Sequence, residues 1–216
     1  MPFVDEVVVA TDSPEVGEAV SGAGGFCMLT AERHPSGTDR VAEVAAHHEF
    51  AVHDTIVNVQ GDEPFLAADA VAGAIAMVTD EGFAVGTAAA PASDAVCDDP
   101  NVVKVVCAAD GRALYFSRAP IPWMRDPADR GLRAIHVRQH LGVYAYTREA
   151  LRQWVALPVH PLEQIERLEQ LRPLVAGIPV GVAMIGPVPE GSGGVDTEDD
   201  LARANARWND LYAGRT

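Results

Sequence analysis

Lysine is nearly absent: Lys104 is the only one in 216 residues, and the rest of the 16 Lys and Arg are arginine. Positive charge is scarce altogether, with 16 Lys and Arg against 31 Asp and Glu and a formal net charge of −15. Neither a phosphate backbone nor an anionic lipid surface attracts an acidic face, which excludes a general nucleic-acid or membrane-surface binder. An anionic substrate would need a local basic pocket or a metal. Long apolar runs are missing too, and the opening MPFVDEVVVATDS has no basic stretch leading into an apolar one, so neither a spanning helix nor a signal peptide is expected. Cysteine is limited to Cys27, Cys97 and Cys107, an odd number without CxxC spacing. That excludes a disulfide framework, leaves buried reduced thiols, and sets the expected location in the cytoplasm.

What is present suits one globular domain with a sizeable core: 48% of residues are hydrophobic and 22% charged. The chain alternates strand and helix signals. Asp5 to Ala10 reads as a buried strand, and Ser13 as the cap of a helix with Pro14 at its first position. Phe26 to Thr30 reads as a strand, Asp39 to Phe50 as a helix, Thr55 to Gln60 as a strand, and Ala67 to Glu81 as a helix ended by Gly82. Such alternation predicts an α/β fold with a mainly parallel sheet. From Ala84 to Tyr146 the runs are short and extended around an Asp110-Gly111 turn, which predicts an antiparallel excursion. Pro161 to Leu174 carries Leu162, Ile165, Leu168 and Leu171 at helical spacing; a strand follows near Val180 to Ile185, then a helix from Thr197.

The stretch NVQGDEP, Asn58 to Pro64, runs a buried strand directly into a glycine, two carboxylates and a proline. In an open α/β sheet ligands bind beyond the carboxyl ends of strands, so Asp62 is a candidate hard oxygen ligand for Mg²⁺ and a polyphosphate. Read alone, the segment fits a solvated turn equally well. Asp196, in GVDTEDDL, is a second candidate, although Asp196 or Thr197 could simply cap the last helix. Two aspartates brought together from distant loops are what metal-assisted nucleotidyl transfer requires.

The runs VVVATD, HPSGTDR, TIVNVQGDEP, DPNVVKVV, ALYFSRAPIPW, RQHLGVYAY, PLEQIERLEQLR and GVDTEDDL follow one another over nearly the whole chain. In this order they resemble the 3-deoxy-manno-octulosonate cytidylyltransferase family, the CMP-Kdo synthetases. The resemblance implies a nucleotide-diphospho-sugar transferase fold, Rossmann-like and mainly parallel, with residues 84–146 forming part of a sugar site and a dimer contact. It implies transfer of CMP from CTP to the sugar acid Kdo with release of pyrophosphate, a step in lipopolysaccharide precursor activation, by a Mg²⁺-dependent homodimer. Carried over by position, Asp62 and Asp196 become the catalytic, metal-binding pair. Ser36, Gly37, Thr38 and Arg40 match the cytidine site, and Gln60 lies beside the substrates. Arg118, His140 and Tyr144 match the sugar-acid pocket, where Glu163 and Gln170 could also face the sugar.

Members of this family begin with a further strand and an Arg- and Lys-bearing loop of the form ARxxSxRLPGKP that binds the triphosphate. MPFVDEVVVATD aligns with the family's second strand, so the expectation is an N-terminally incomplete domain that, expressed alone, is poorly stable and inactive, whereas a version extended upstream with the family's strand and loop is soluble and active. The absent strand would lie between the strands at Val7 to Ala10 and Ile56 to Val59. Two alternatives remain open: a cytidylyltransferase for another acid sugar, and a non-catalytic homologue that only binds ligand or dimerises.

Overall fold

The computed structural model describes residues 3–188, 194–195 and 197–213. Strand β1 (Val8–Thr11) leads into helix α1 (Pro14–Gly22) through Ser13, whose hydroxyl accepts the Val16 amide. Strand β2 (Phe26–Leu29) returns parallel to β1, from Val8 opposite Phe26 to Thr11 opposite Leu29. Helix α2 (Gly37–Ala45) starts earlier than the predicted Asp39, because the Ser36 hydroxyl caps it by accepting the Asp39 amide. It also stops earlier, and a separate 3₁₀ turn at His48–Phe50 takes up the remainder of the predicted helix.

Strand β3 (Thr55–Asn58), helix α3 (Ala68–Thr79) and strand β4 (Val85–Pro91) follow. Two helices interrupt the segment read as extended: α4 (Asp94–Asp98), capped by Ser93, and α5 (Arg130–His136). Both are too short to carry a helical period in sequence. Between them strands β5 (Lys104–Cys107) and β6 (Ala113–Ser117) form the predicted hairpin, in which Gly111 takes a φ of 82° open to glycine at no steric cost. Strand β7 (Arg138–Thr147) leads through a Thr147 cap into α6 (Arg148–Ala156). Helices α7 (Pro161–Glu166) and α8 (Leu171–Val175) replace the single helix predicted from Pro161 to Leu174. Strand β8 (Val180–Met184) and helix α9 (Glu198–Tyr212), with Thr197 and Asp200 in a capping box, complete the order.

The fold is α/β, and the antiparallel excursion is woven into its sheet rather than appended to it. β7 is the central strand: one edge pairs with β4, while the other pairs first with β5 at Gln139 and then with β3 from Tyr144 to Thr147, all antiparallel. β8 lies parallel on the far side of β4, so β3, β4 and β8 share one direction. Alternation along β4 and β7 divides the interior into two layers. Val85, Ala89, Tyr144 and Tyr146 pack with Trp154 and Leu171 on one face; Ala88, Val143 and Ala145 pack with Ala70, Val71 and Ala74 of α3 on the other. Gly86 permits the close approach of α3, since a Cβ there would lie 2.0 Å from the Ala74 carbonyl oxygen.

The β1–β2 pair forms its own sheet and is not hydrogen-bonded to β3. A cavity of about 550 Å³ separates them, with Val8 and Ala10 on one wall and Thr55, Ile56 and Val57 on the other. No helix among the described residues is long and apolar enough to cross a membrane, and the three cysteines are free thiols.

Candidate active site

A cavity of about 630 Å³ gathers residues from six separate parts of the chain. Ser36 and Gly37 reach it from the start of α2, Gln60 from the turn after β3, and Arg118 from the end of β6. His140 and Tyr144 come from β7, and Glu163 and Gln170 from α7 and the N-cap of α8. The sequence expectations therefore converge here for these eight positions.

The corner between α7 and α8 explains how the last two arrive. Arg167 adopts left-handed backbone angles, φ 55° and ψ 46°, the only non-glycine with positive φ among the described residues. That conformation costs on the order of 1 kcal/mol and is held by its surroundings. Glu163 provides the hold: its carboxylate accepts the His160 amide at 3.3 Å and takes Arg172 through Nε at 2.8 Å and Nη2 at 2.5 Å. Burial would raise the Glu163 carboxyl, but Arg172 and the His160 amide together keep it below its ordinary pKa. Glu163 thus lines the cavity with its charge already committed to the corner.

The break turns Glu169 into the cavity, a residue the sequence reading passed over. Its Oε2 is buried without a hydrogen-bond partner. Burial raises the Glu169 pKa, against the pull of the Ser36 and Thr38 hydroxyls and the charge of Arg172. The signal available in sequence was an acid lodged between Leu168 and Leu171, which are 4% and 0% exposed. Gln170, also buried, stands beside it.

Arg118 is fastened from several directions. Glu166 accepts the Arg118 amide at 2.9 Å and the Ser117 hydroxyl at 2.7 Å, while the Glu166 carbonyl accepts the Arg118 Nε at 2.9 Å. Arg118 Nη1 donates to the carbonyls of Pro100 and Asn101, at 3.1 and 3.2 Å. Beneath it sits the single lysine. Lys104, fully buried, donates its ammonium protons to the carbonyls of Asp99, Val102 and Arg118 at 2.8, 2.6 and 2.6 Å. Burial lowers its pKa, and the three carbonyls give the charge somewhere to go. Nη2 of Arg118 has no protein hydrogen bond among the described residues, leaving that edge for a ligand oxygen.

On the β7 wall, His140 meets Phe116 edge-on at 5.1 Å and Tyr144 at 5.3 Å between ring centroids. Burial pushes the His140 pKa down to about 4 and the Tyr144 phenol well up, with Glu169 adding to the latter, so both side chains are neutral near pH 7.

Three of the expected site residues fall elsewhere among the described residues. Thr38 is fully buried and contacts the Tyr146 hydroxyl at 3.4 Å, rooting α2 on β7. Arg40 pairs with Asp12 at 3.3 Å and donates to Thr30 and to the Ala31 carbonyl, tying the loop after β2 to α2. Asp62 stands exposed in the turn beyond Gln60, and its carbonyl accepts the Val195 amide at 2.8 Å. Asp196 lies outside the described residues.

Comparison with known proteins identifies the class. A profile of the cytidylyltransferase family matches residues 1–180. The 3-deoxy-manno-octulosonate cytidylyltransferase of Gemmatimonas aurantiaca is 56% identical over 212 residues, 98% of this chain and 81% of that protein. The enzyme of the same name from Methylococcus capsulatus is 46% identical over 217 residues, again 98% of this chain and 82% of the relative. Among solved structures, CMP:2-keto-3-deoxy-manno-octonic acid synthetase complexed with CTP superposes with a TM-score of 0.84 at 37% identity, covering 96% of this chain and 82% of that one. The inositol-1-phosphate CTP transferase from T. maritima, at TM-score 0.60 and 13% identity over 97% of this chain and 77% of its own, shares the fold. The protein is a cytidylyltransferase. Within that class, the chain belongs to the 3-deoxy-manno-octulosonate cytidylyltransferase family.

Proposed function

We propose that this protein transfers CMP from CTP to Kdo, releasing pyrophosphate and activating the sugar acid for lipopolysaccharide synthesis. The carrying observation is the cavity in which Gln60, Arg118, His140, Tyr144, Glu169 and Gln170 converge. A polyhydroxylated acid needs several hydrogen-bonding groups and one cationic edge, which this wall offers. Ser36 and Gly37, at the start of α2 on the rim, fit the cytidine side of the same reading.

The residues also fit a magnesium site. Magnesium takes one or two carboxylates, substrate phosphates and water, not a full protein cage. Asp62, an exposed carboxylate fixed at a strand-to-turn position, suits one such ligand, and Asp196 would be the second, being the residue after the Val195 that bonds the Asp62 carbonyl. Bound there, Mg²⁺ would neutralise charge building on the phosphates during in-line attack by the anomeric hydroxyl. The protein's own part is to position: Arg118 and Glu169 orient the acid sugar, and no covalent intermediate is required.

A second copy of the chain is the proposed partner. Trp123, Leu132 and Ile135 are 78%, 62% and 61% exposed on the insertion. Trp123, Leu132 and Met184 line a cavity of about 870 Å³, and apolar surface of this kind is rarely left bare. Cytoplasmic placement follows from the nucleotide substrate. The test is an assay of the native protein with CTP, Mg²⁺ and Kdo, following pyrophosphate and identifying the product by mass. CMP-Kdo formation is expected; reaction only with a different acid sugar, or none with any, would overturn the reading.

A further inference from the structure

Thr87 sits fully buried on β4, and its hydroxyl oxygen has two close neighbours: the Val143 carbonyl oxygen at 2.6 Å and His140 Nε2 at 2.8 Å. A threonine hydroxyl carries a single proton. Placed toward His140, that proton would leave two lone-pair-bearing oxygens facing each other at 2.6 Å with nothing between them. The proton therefore goes to Val143, and Thr87 can only accept from His140. For a neutral imidazole this decides the tautomer: Nε2 carries hydrogen and Nδ1 carries the lone pair.

Nδ1 has no hydrogen bond among the described residues, and it is not among the side-chain atoms sealed from solvent without a partner. The open space beside His140 is the cavity. Rotation of the ring is opposed by Phe116 and Tyr144 packed against it, and the His140 amide is bonded to the Val103 carbonyl at 2.8 Å. Glu169 lines the same cavity, although its Oε2 is sealed from solvent and has no hydrogen-bond partner.

We infer that Thr87, which cannot reach a ligand itself, is the positioning residue that makes His140 a hydrogen-bond acceptor, so that the cavity selects a ligand by its hydroxyl donors. This rests on the reading of the cavity as the acid-sugar site. The consequence is a chemical preference: a sugar acid lacking the hydroxyl that faces His140, or carrying a methoxy group there, leaves Nδ1 unpaired and binds worse. CTP recognition is untouched by Thr87.

The test combines nitrogen NMR of the protein labelled with ¹⁵N-histidine and steady-state kinetics on the native enzyme. The wild-type His140 resonances, assigned by their loss in His140→Gln, should report hydrogen on Nε2 and a bare Nδ1. Thr87→Val, close in shape, should blur that tautomer into a mixture and raise KM for the acid sugar roughly tenfold, while KM for CTP and kcat stay near wild type. Thr87→Ser, which keeps the hydroxyl, should restore both readouts. Hydrogen on Nδ1 in the wild type would overturn the inference outright, without any variant having to fold. So would an unchanged sugar KM in a folded Thr87→Val whose tautomer has shifted. A wild type with the stated tautomer but no reaction with any acid sugar would instead sink the proposed function and, with it, the selective role, leaving the Thr87–His140 bond as a structural fact.

Discussion

The amide of Val195 donates to the carbonyl of Asp62 at 2.8 Å, bonding the start of the GVDTEDDL segment to the turn that follows β3. The contact joins two acidic motifs separated by more than half the chain, at the exposed end of a strand. Asp62→Asn keeps that backbone bond and the side-chain volume while removing the charge proposed to hold the metal. Turnover should fall roughly 10²–10³-fold, with the thermal midpoint close to wild type. A variant with ordinary turnover would remove Asp62 from the mechanism.

Arg118→Ala should separate the two substrates. On the proposed reading the guanidinium edge on the cavity holds the acid sugar, so calorimetry should find that ligand weakened by about 1.5–3 kcal/mol, with CTP binding changed far less. Equal weakening of both would assign Arg118 to the scaffold.

Lys104→Met tests the scaffold itself. Three backbone carbonyls lose their shared donor, those of Asp99, Val102 and Arg118, while the cost of keeping a buried charge is also removed. The net loss expected is about 1–3 kcal/mol in denaturant unfolding, together with weaker binding of the acid sugar because Arg118 is no longer held from below. Unchanged binding in a folded variant would show that Glu166 and the Pro100 and Asn101 carbonyls position Arg118 without Lys104.

His140 predicts a pH dependence of stability. Its folded pKa is about 4, depressed from about 6.5 in an unfolded chain. Between these values the unfolded state binds the proton first, so the contribution is complete above about pH 6.5 and is lost as pH falls toward about 4. The slope is at most about 1.4 kcal/mol per pH unit. Glu169, raised by burial, works in the opposite sense, so the measurement is the difference between wild type and His140→Gln. Parallel stability curves for the two proteins across this range would contradict the assignment.

Periodicity and turn chemistry made much of the fold legible. Ser13 with Pro14 marked α1, and Asp110-Gly111 marked the β5–β6 hairpin. Patterning failed where the chain departs from a regular element for the sake of the cavity. Leu162, Ile165, Leu168 and Leu171 have helical spacing, yet Arg167 breaks the helix and Ile165 is left 76% exposed. No local propensity encodes that break; it depends on the Glu163–Arg172 pair, a tertiary contact. Glu169 was missed for the same reason, because it enters the cavity only once the helix is broken. The roles of Lys104 and Thr87 were hidden because each is defined by carbonyls that folding brings to it. Ser36, Gly37, Gln60, Arg118, His140 and Tyr144 were reached through motif resemblance, and that route gave no warning that the Glu163 carboxylate is occupied by Arg172.

The most direct measurement is a crystal structure of the protein with Kdo, Mg²⁺ and a non-hydrolysable CTP analogue. The sugar acid should lie in the cavity of about 630 Å³, its carboxylate toward Arg118 and its hydroxyls toward His140 and Glu169, with the metal on Asp62. Sugar density outside this cavity, or a metal bound away from Asp62, would contradict the account.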